Sequence, residues 1–574
     1  METASTSSSY SVLSESRKLL LHALLDHPKI KKDIPHEAIK FASHIVFHGA
    51  DLPSIAINWR FAESVASLKA LEACMISTLV KRKYDVELSG AQINVDHAQL
   101  FFMSALVWTI HPDTKHSIGS GKNMDKLDEI IPNYDFHKMW SNPYRTCATN
   151  IYRTKDHRFF HLHGGMNPKP TLDCLGLPGD RPDVQTWDEA TRPYIQRLEN
   201  IDSTELQHLV TDVYQQAGVI VETVDSFRAT EQGKATAEVG LFELYRVAIS
   251  GQQPGWWPST TETSSARPLA GLKVVDLTRV IAGPAITRGL AELGASVMRI
   301  TSPNIADFSE LHIDLSWGKW SCSLDLETEV GREKLRALIR DADVVVQGYR
   351  PGVLDKHGFS QDHIIDLTRD RERGIISVRE NCYGWHGPWR QRSGWQQISD
   401  ACTGVSAGFG TAMGLTEGEP VTPVFPNSDY MTGIVGVIGV ISALIQRADH
   451  GGSYKLDLAL NYYNQWLTSC VGEYPEAIWR DVWHRNGGQV FRSCHNMNYT
   501  IPRYMQMIKA NSNLFSPEFF EDRESKALGV AVRTVRPVIQ FLGSELQLKY
   551  NVGTRGNGKD LPKWPDDLMT EVVK

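Results

Sequence analysis

The chain has 574 residues, 41% of them apolar and 22% charged, and a formal net charge of −7 at neutral pH. That length suggests roughly three or four domain-sized units. The composition is that of a soluble globular protein, and the acidic balance argues against a nucleic-acid binder. Eight scattered cysteines, none in a C-x-x-C pair, indicate neither a zinc site nor a disulfide framework and fit a reducing compartment.

The N-terminus, METASTSSSYS, is polar and lacks a hydrophobic signal core, and the C-terminal VVK is not the S-K-L peroxisomal address. A cytoplasmic location is the expectation. Residues 60–102 read as an apolar helix, a basic exit, a polar loop and a strand carrying Asp96. The same pattern returns at 427–467, where the strand carries Asp457. This predicts a partial internal duplication. In HLHGG, His161 and His163 share a strand face, but no carboxylate or cysteine partner lies nearby. They are read as structural, and no metal is expected. The Gly-, Pro-, Ser- and Thr-rich run GQQPGWWPSTTETSSAR (251–267) reads as a linker between unlike halves.

From Pro268 the sequence runs PLAGLKVVDLTRVIAGPAITRGLAELGASVMRI. Val274, Val275 and Leu277 form a buried strand. Gly283 and Pro284 punctuate the turn, with the proline suited to the first helical position. Ile286, Leu290 and Leu293 recur at helical spacing, and Gly294 suits the helix end. This is a βαβ opening without the G-x-G-x-x-G fingerprint of a dinucleotide site. Thr328 caps a following helix whose apolar face holds Leu335, Leu338 and Ile339. DVVVQG (343–348) and GIISV (374–378) add short β-branched strands. Strands alternating with helices imply a parallel sheet with right-handed crossovers. The apolar run TGIVGVIGVISALI (432–445) is shorter than the roughly 20 residues a bilayer requires, and its glycines suit close packing in a core.

Several of these segments carry a resemblance. DLTRVIAGP, the Tyr349-Arg350-Pro351-Gly352 turn in WGKWSCSLDLETEVGREKLRALIRDADVVVQGYRPGVLDKHG, GWHGPW (384–389) and SDYMTGIVGVIGVISAL closely resemble the family III CoA-transferases. That family includes formyl-CoA transferase, carnitine CoA-transferase and alpha-methylacyl-CoA racemase, and the duplicated layout is similar to its divergent fungal branch. The likeness is dense over 267–470, partial at 142–164 and poor in the last hundred residues.

The resemblance implies an α/β protein with a Rossmann-like, CoA-binding large domain at 268–425. A small domain and C-terminal extension would occupy 426–574, and a partial CoA-transferase-like half 1–250. It implies an acyl-CoA donor and a carboxylic-acid acceptor, with coenzyme A as substrate and no tightly bound cofactor. Neither nucleic acid nor membrane is expected as a partner. A homodimer or a fused, pseudo-dimeric monomer would follow from the family's interlocked subunits, with secondary metabolism as the setting.

The family's catalytic aspartate falls on Asp429. A carboxylate there would attack the thioester and pass through a mixed anhydride and an aspartyl thioester; taken alone, an aspartate before a helix reads as an N-cap. By the same resemblance Ile281, Ala282, Leu324, Asp325, Tyr349, Arg350, Lys356 and Gln396 would meet the CoA. The racemases place histidine and aspartate where this chain has Trp395 and Gln396, which cannot serve as opposed bases. His386 or Asp400 would have to substitute, and Asp400 is read as a solvated or capping residue. Gly487, Gly488 and Gln489 read as a plain turn. The alternatives are an acyl-CoA racemase, isomerase or dehydratase, and a CoA-binding protein without turnover.

Overall fold

The computed structural model describes residues 10–119, 122–543 and 546–574. After several short helices and a strand, a long buried helix α1 (Phe61–Tyr84) begins the elements that build the site. A three-stranded antiparallel sheet follows, built from β1 (Asn150–Arg153), β2 (Phe159–His163) and β3 (Ala217–Ile220). The largest sheet contains β4 (Glu243–Val247) and β5 (Lys273–Leu277), then β6 (Ser296–Thr301) and β7 (Lys319–Ser323). It is completed by β8 (Val344–Gln347), β9 (Ile376–Asn381) and β10 (Ser453–Ala459). Between these strands lie α2 (Ala282–Glu292), α3 (Glu329–Arg340), α4 (Gln396–Cys402) and α5 (Asn427–His450).

The seven strands lie in the order β7-β6-β5-β8-β9-β10-β4, all parallel except β4, which runs antiparallel to β10. The chain winds outward from β5 to β7, then restarts beside β5 at β8 and winds the other way. At such a reversal the loops leaving adjacent strands part, and a crevice opens at the carboxyl ends. Both faces are covered, as a parallel sheet requires. Val274, Val344 and Val378 pack with α1, α2 and α5, whereas Val275, Leu277 and Val345 pack with Leu335, Leu338 and Ile339 of α3.

Thr328 caps α3 by accepting the Gly331 N–H at 3.1 Å. Pro284 is the third residue of α2, not the first: the helix already begins at Ala282. Gly294 follows the last helical residues with φ 108°. α5 is long and apolar enough to cross a bilayer, yet it lies inside the fold; between Asn427 and Ile445 every residue except Asp429 is buried.

Three expectations about organisation change. β10 is the sixth strand of the parallel array, so 426–460 belongs to the large sheet and its covering helices, not to a separate small domain. The β1–β3 sheet is one of several smaller sheets beside the large one. The segment 251–267 is turn-rich but anchored: Trp257 is buried and donates to the Ala270 carbonyl at 2.9 Å, and Gln252 donates to that of Thr368 at 3.1 Å. Asp96 is the second residue of a helix, Val95–Phe101, that follows the strand Ala91–Asn94, and its carboxylate accepts the Ala50 N–H at 2.8 Å.

Candidate active site

A cavity of about 440 Å³ opens at the carboxyl ends of β5, β8 and β9. Its floor holds Asp429, in the first turn of α5. The approach to that helix is fixed by an unusual backbone. Phe425 has φ 70°, a left-handed conformation that bulky residues rarely adopt, and Pro426 makes a tight turn in which Asn427 N–H donates to the Phe425 carbonyl at 2.9 Å. The Asp429 side chain caps nothing and has no hydrogen-bond partner among the described residues. An N-cap role is therefore not what the structure gives it. Burial, then the neighbouring Glu380 and Asp400 carboxyls, push its pKa well above the usual carboxylate range. Its place at the positive end of a helix opposes that shift.

Glu380, at the end of β9, lines the same cavity. It is 9% exposed, has no hydrogen-bond partner among the described residues, and burial pushes its pKa up to about 8. Asp400 lies behind Asp429. It is buried, accepts from Asn464 Nδ2 at 2.9 Å and from Gln396 Nε2, and burial raises its pKa to about 7 against the pull of those bonds. It is thus neither solvated nor capping.

The first loop, after β5, forms one wall with Arg279, Val280, Ile281 and Ala282. Val280 also has a left-handed backbone, φ 69°. Gly348, Tyr349 and Arg350 follow β8, and the Arg279 guanidinium sits 5.1 Å from the centre of the Tyr349 ring. Beyond Tyr349 a smaller cavity of about 210 Å³ continues between Leu277, Ile300, Leu324, Asp325 and His357.

The opposite wall comes from the first half of the chain. Gly164, Gly165, Met166 and Asn167 leave β2 and face Trp395. His163 stacks on the Trp395 indole with ring centres 5.0 Å apart and bonds Gln397 Oε1 through Nε2 at 3.0 Å. Its Nδ1 accepts the Gly165 N–H at 3.0 Å, which assigns the proton to Nε2. Burial pushes the pKa values of His161 and His163 down to about 4 and 3, so both rings are neutral and support the wall.

The structure thus brings Asp429, Ile281, Ala282, Tyr349 and Arg350 onto one cavity and Leu324 and Asp325 onto its extension. Lys356 sits apart, exposed on the short turn Asp355–His357; its neighbour His357 is the residue that lines the smaller cavity. Gln396 does not line the cavity either. It is buried against Asp400. His386 pairs with Glu243 at 2.7 Å beside a different cavity, so it does not face Asp429. Gly487 and Gly488 form a turn, both with positive φ, after the helix Glu476–Arg485.

Sequence reasoning missed Glu380, Arg279, Arg392 and the Gly164–Asn167 wall. One signal was available for Glu380: an ionisable side chain at the carboxyl end of an apolar parallel strand stands where such sheets bind ligands.

The profile of CoA-transferase family III matches residues 269–516. The acetyl-coenzyme A transferase nodX of Hypoxylon pulicicidum is 48% identical over 99% of this chain and 96% of its own length. An acyl-CoA transferase of Gibberella moniliformis is 31% identical over 89% of each chain. A formyl-CoA:oxalate CoA-transferase of Escherichia coli O6:H1 is 28% identical over 34% of this chain and 47% of its own.

Proposed function

The chain belongs to CoA-transferase family III, and from that premise we propose that Asp429 is the carboxylate through which it works. The enzyme transfers CoA between carboxylic acids. The observation that carries the assignment is a first-turn carboxylate that lines the cavity and has no hydrogen-bond partner among the described residues.

The Asp429 carboxylate adds to the thioester carbonyl, the C–S bond breaks, and a mixed anhydride and CoA thiolate result. The thiolate attacks the aspartyl carbonyl, which releases the first acid and leaves an aspartyl-CoA thioester. The acceptor carboxylate attacks that thioester, and the thiolate returns to the acceptor's acyl carbon, freeing Asp429. Proximity matters throughout, because the thiolate must stay bound between steps.

The two neighbouring cavities, which share Asn304, Ile305, Tyr349 and Val353, suit CoA. The apolar extension at Leu277, Ile300 and Leu324 fits the adenine, Arg279 and Arg350 fit the phosphates, and the pantetheine arm would pass Ile281 and Ala282 to Asp429. The 3-2-1-4-5-6 order of the parallel strands supports the Rossmann-like reading. CoA then binds as a substrate, with no tightly held cofactor. The name of the Hypoxylon relative makes acetyl-CoA the first donor to try, and the fungal relatives favour an accessory metabolic role in the cytoplasm.

The partial duplication gains support from geometry. α1 and α5 are each 24 residues long, each leads through a strand into a seven-residue helix, and the residues before them, Arg60 and Pro426, share φ near −75° and ψ 60°. The third residue of each is acidic, Glu63 and Asp429. Glu63 is buried and accepts from the Tyr10 and Tyr474 hydroxyls, the latter at 3.0 Å. This supports one working site per chain in a fused, pseudo-dimeric monomer.

The test is intact-protein mass spectrometry after incubation with acetyl-, formyl- and succinyl-CoA, with hydroxylamine trapping. We expect an adduct that maps to Asp429 in the wild type and is lost, with turnover, in Asp429→Ala. Turnover that survives in Asp429→Ala would overturn the assignment.

A further inference from the structure

Glu380 is a carboxyl without a role. It ends β9, faces the cavity that holds Asp429, and neither donates nor accepts a hydrogen bond within the described structure. Its Oε2 lies over the end of β8, 3.5 Å from where a Cβ on Gly348 would sit. A buried carboxyl with no partner is costly when ionised, because nothing replaces its lost hydration. A neutral one retains a strong O–H donor directed at whatever fills the cavity.

Trp395 Nε1 is an unpartnered neutral donor on the opposite wall, whereas the amides nearest the reacting carboxylate are committed elsewhere among the described residues. Gln396 spends its amide on Asp400, Ile281 is apolar, and Asn381 Nδ2 is committed to the Gly384 carbonyl at 2.9 Å. Addition of the Asp429 carboxylate to a thioester moves its negative charge onto the former carbonyl oxygen. Such a charge needs a donor positioned beforehand.

We propose that Glu380 is a catalytic residue that remains a neutral acid and donates a hydrogen bond to the oxyanion formed when Asp429 adds to the thioester. The C–O bond forms, the carbonyl π pair moves to oxygen, and the Glu380 proton is shared with that oxygen without leaving Glu380. Collapse restores the carbonyl, breaks the C–S bond and releases CoA thiolate. A protonated carboxyl can serve this purpose at neutral pH when an apolar site raises its pKa. Glu380 has a pKa of about 8, set by burial. The titratable and charged groups that face it are Asp429 of α5, Cys382 just beyond β9 and Tyr349 after β8, with Asp400 of α4 behind Asp429 and Arg279, Arg350 and Arg392 on the lining loops.

The inference rests on Asp429 being the acyl acceptor, so its test has one arm that needs no turnover. Infrared difference spectra of the wild type minus Glu380→Gln, recorded without substrate, should contain a carboxylic-acid carbonyl band at pH 7 that disappears as the pH rises through about 8. Absence of that band means Glu380 is ionised and overturns the proposal whatever the enzyme's reaction. In the second arm, with acetyl-CoA as donor, Glu380→Ala should lower kcat by about 10²–10³ with little change in KM. Glu380→Gln retains a donor that cannot ionise; it should stay within about tenfold of wild type and lose the alkaline limb of the kcat–pH profile. Wild-type kcat in Glu380→Ala, or an alkaline limb that persists in Glu380→Gln, would also overturn it. Absence of the Asp429 adduct in the wild type, with the infrared band present, would overturn the Asp429 assignment and with it the oxyanion role, while leaving Glu380 a neutral acid.

Discussion

At the residue scale the site is an arrangement of acids that must not all be charged at once. Asp429, Glu380 and Asp400 lie close enough to raise the pKa of Asp429, and each is held out of bulk water. The fold raises the pKa of each, which ties stability to pH. Glu380 titrates near 4.3 in an unfolded chain and near 8 here. Between those values the folded protein holds a proton that the unfolded chain has released. Its contribution is therefore complete below about pH 4 and is lost as pH rises through 8. We expect the urea midpoint of the wild type to fall between pH 5 and 8, and Glu380→Gln to fall less over the same interval. An identical slope in both proteins would show that Glu380 is already ionised. The sequence displayed Asp429 because a long motif surrounds it. Glu380 carries no motif, and nothing in GIISVREN says that its side chain meets no partner. Asp400 read as solvated because the i, i+4 relation to Gln396 does not reveal that both are buried beneath α5.

At the scale of elements, the contact of α2 with α5 positions the site, since α2 begins at the Ile281–Ala282 wall and α5 begins at Asp429. The helices approach closely through glycine. A Cβ on Gly433 would lie 2.6 Å from the Ala285 Cβ, and one on Gly436 would lie 2.6 Å from Ile286 Cγ1. Both distances are too short for either neighbour to accept without a shift of the helices. Gly436→Ala should cost about 1–3 kcal/mol in urea denaturation, the usual range for overpacking. It should also raise KM for acyl-CoA, because α2 moves with its first loop. Unchanged stability would mean that the two helices are less tightly apposed. The glycines and the apolar period were legible in the sequence. The start of α2 at Ala282 was not, since Ile281 makes no side-chain cap and the usual signal is missing. The helical position of Asp96 was hidden for a similar reason: Asn94 ends a strand and caps a helix in one step, accepting the Asp96 N–H at 2.9 Å.

At the scale of the whole molecule, the two halves of the chain share one core and one site. α1 packs along α5, β4 completes the edge of the large sheet beside β10, and Gly164–Asn167 closes the cavity over Trp395. A fragment starting at residue 268 would leave the apolar side of α5 uncovered and the cavity missing a wall. We expect 268–574 to be insoluble alone and to be recovered as a complex when co-expressed with 1–267. A soluble, CoA-binding fragment would contradict this shared core. The sequence alone determined the alternation of strands and helices, the strand-turn-helix that opens the parallel sheet and the segment that places an aspartate before an apolar helix, because local periodicity and short-range turn chemistry specify all of these. The tertiary structure decided that β10 joins the large sheet, that a distant glycine pair completes the cavity and that Glu380 faces Asp429. Those relations join residues tens to hundreds of positions apart, and their energies come from burial and desolvation, which exist only once the chain is packed.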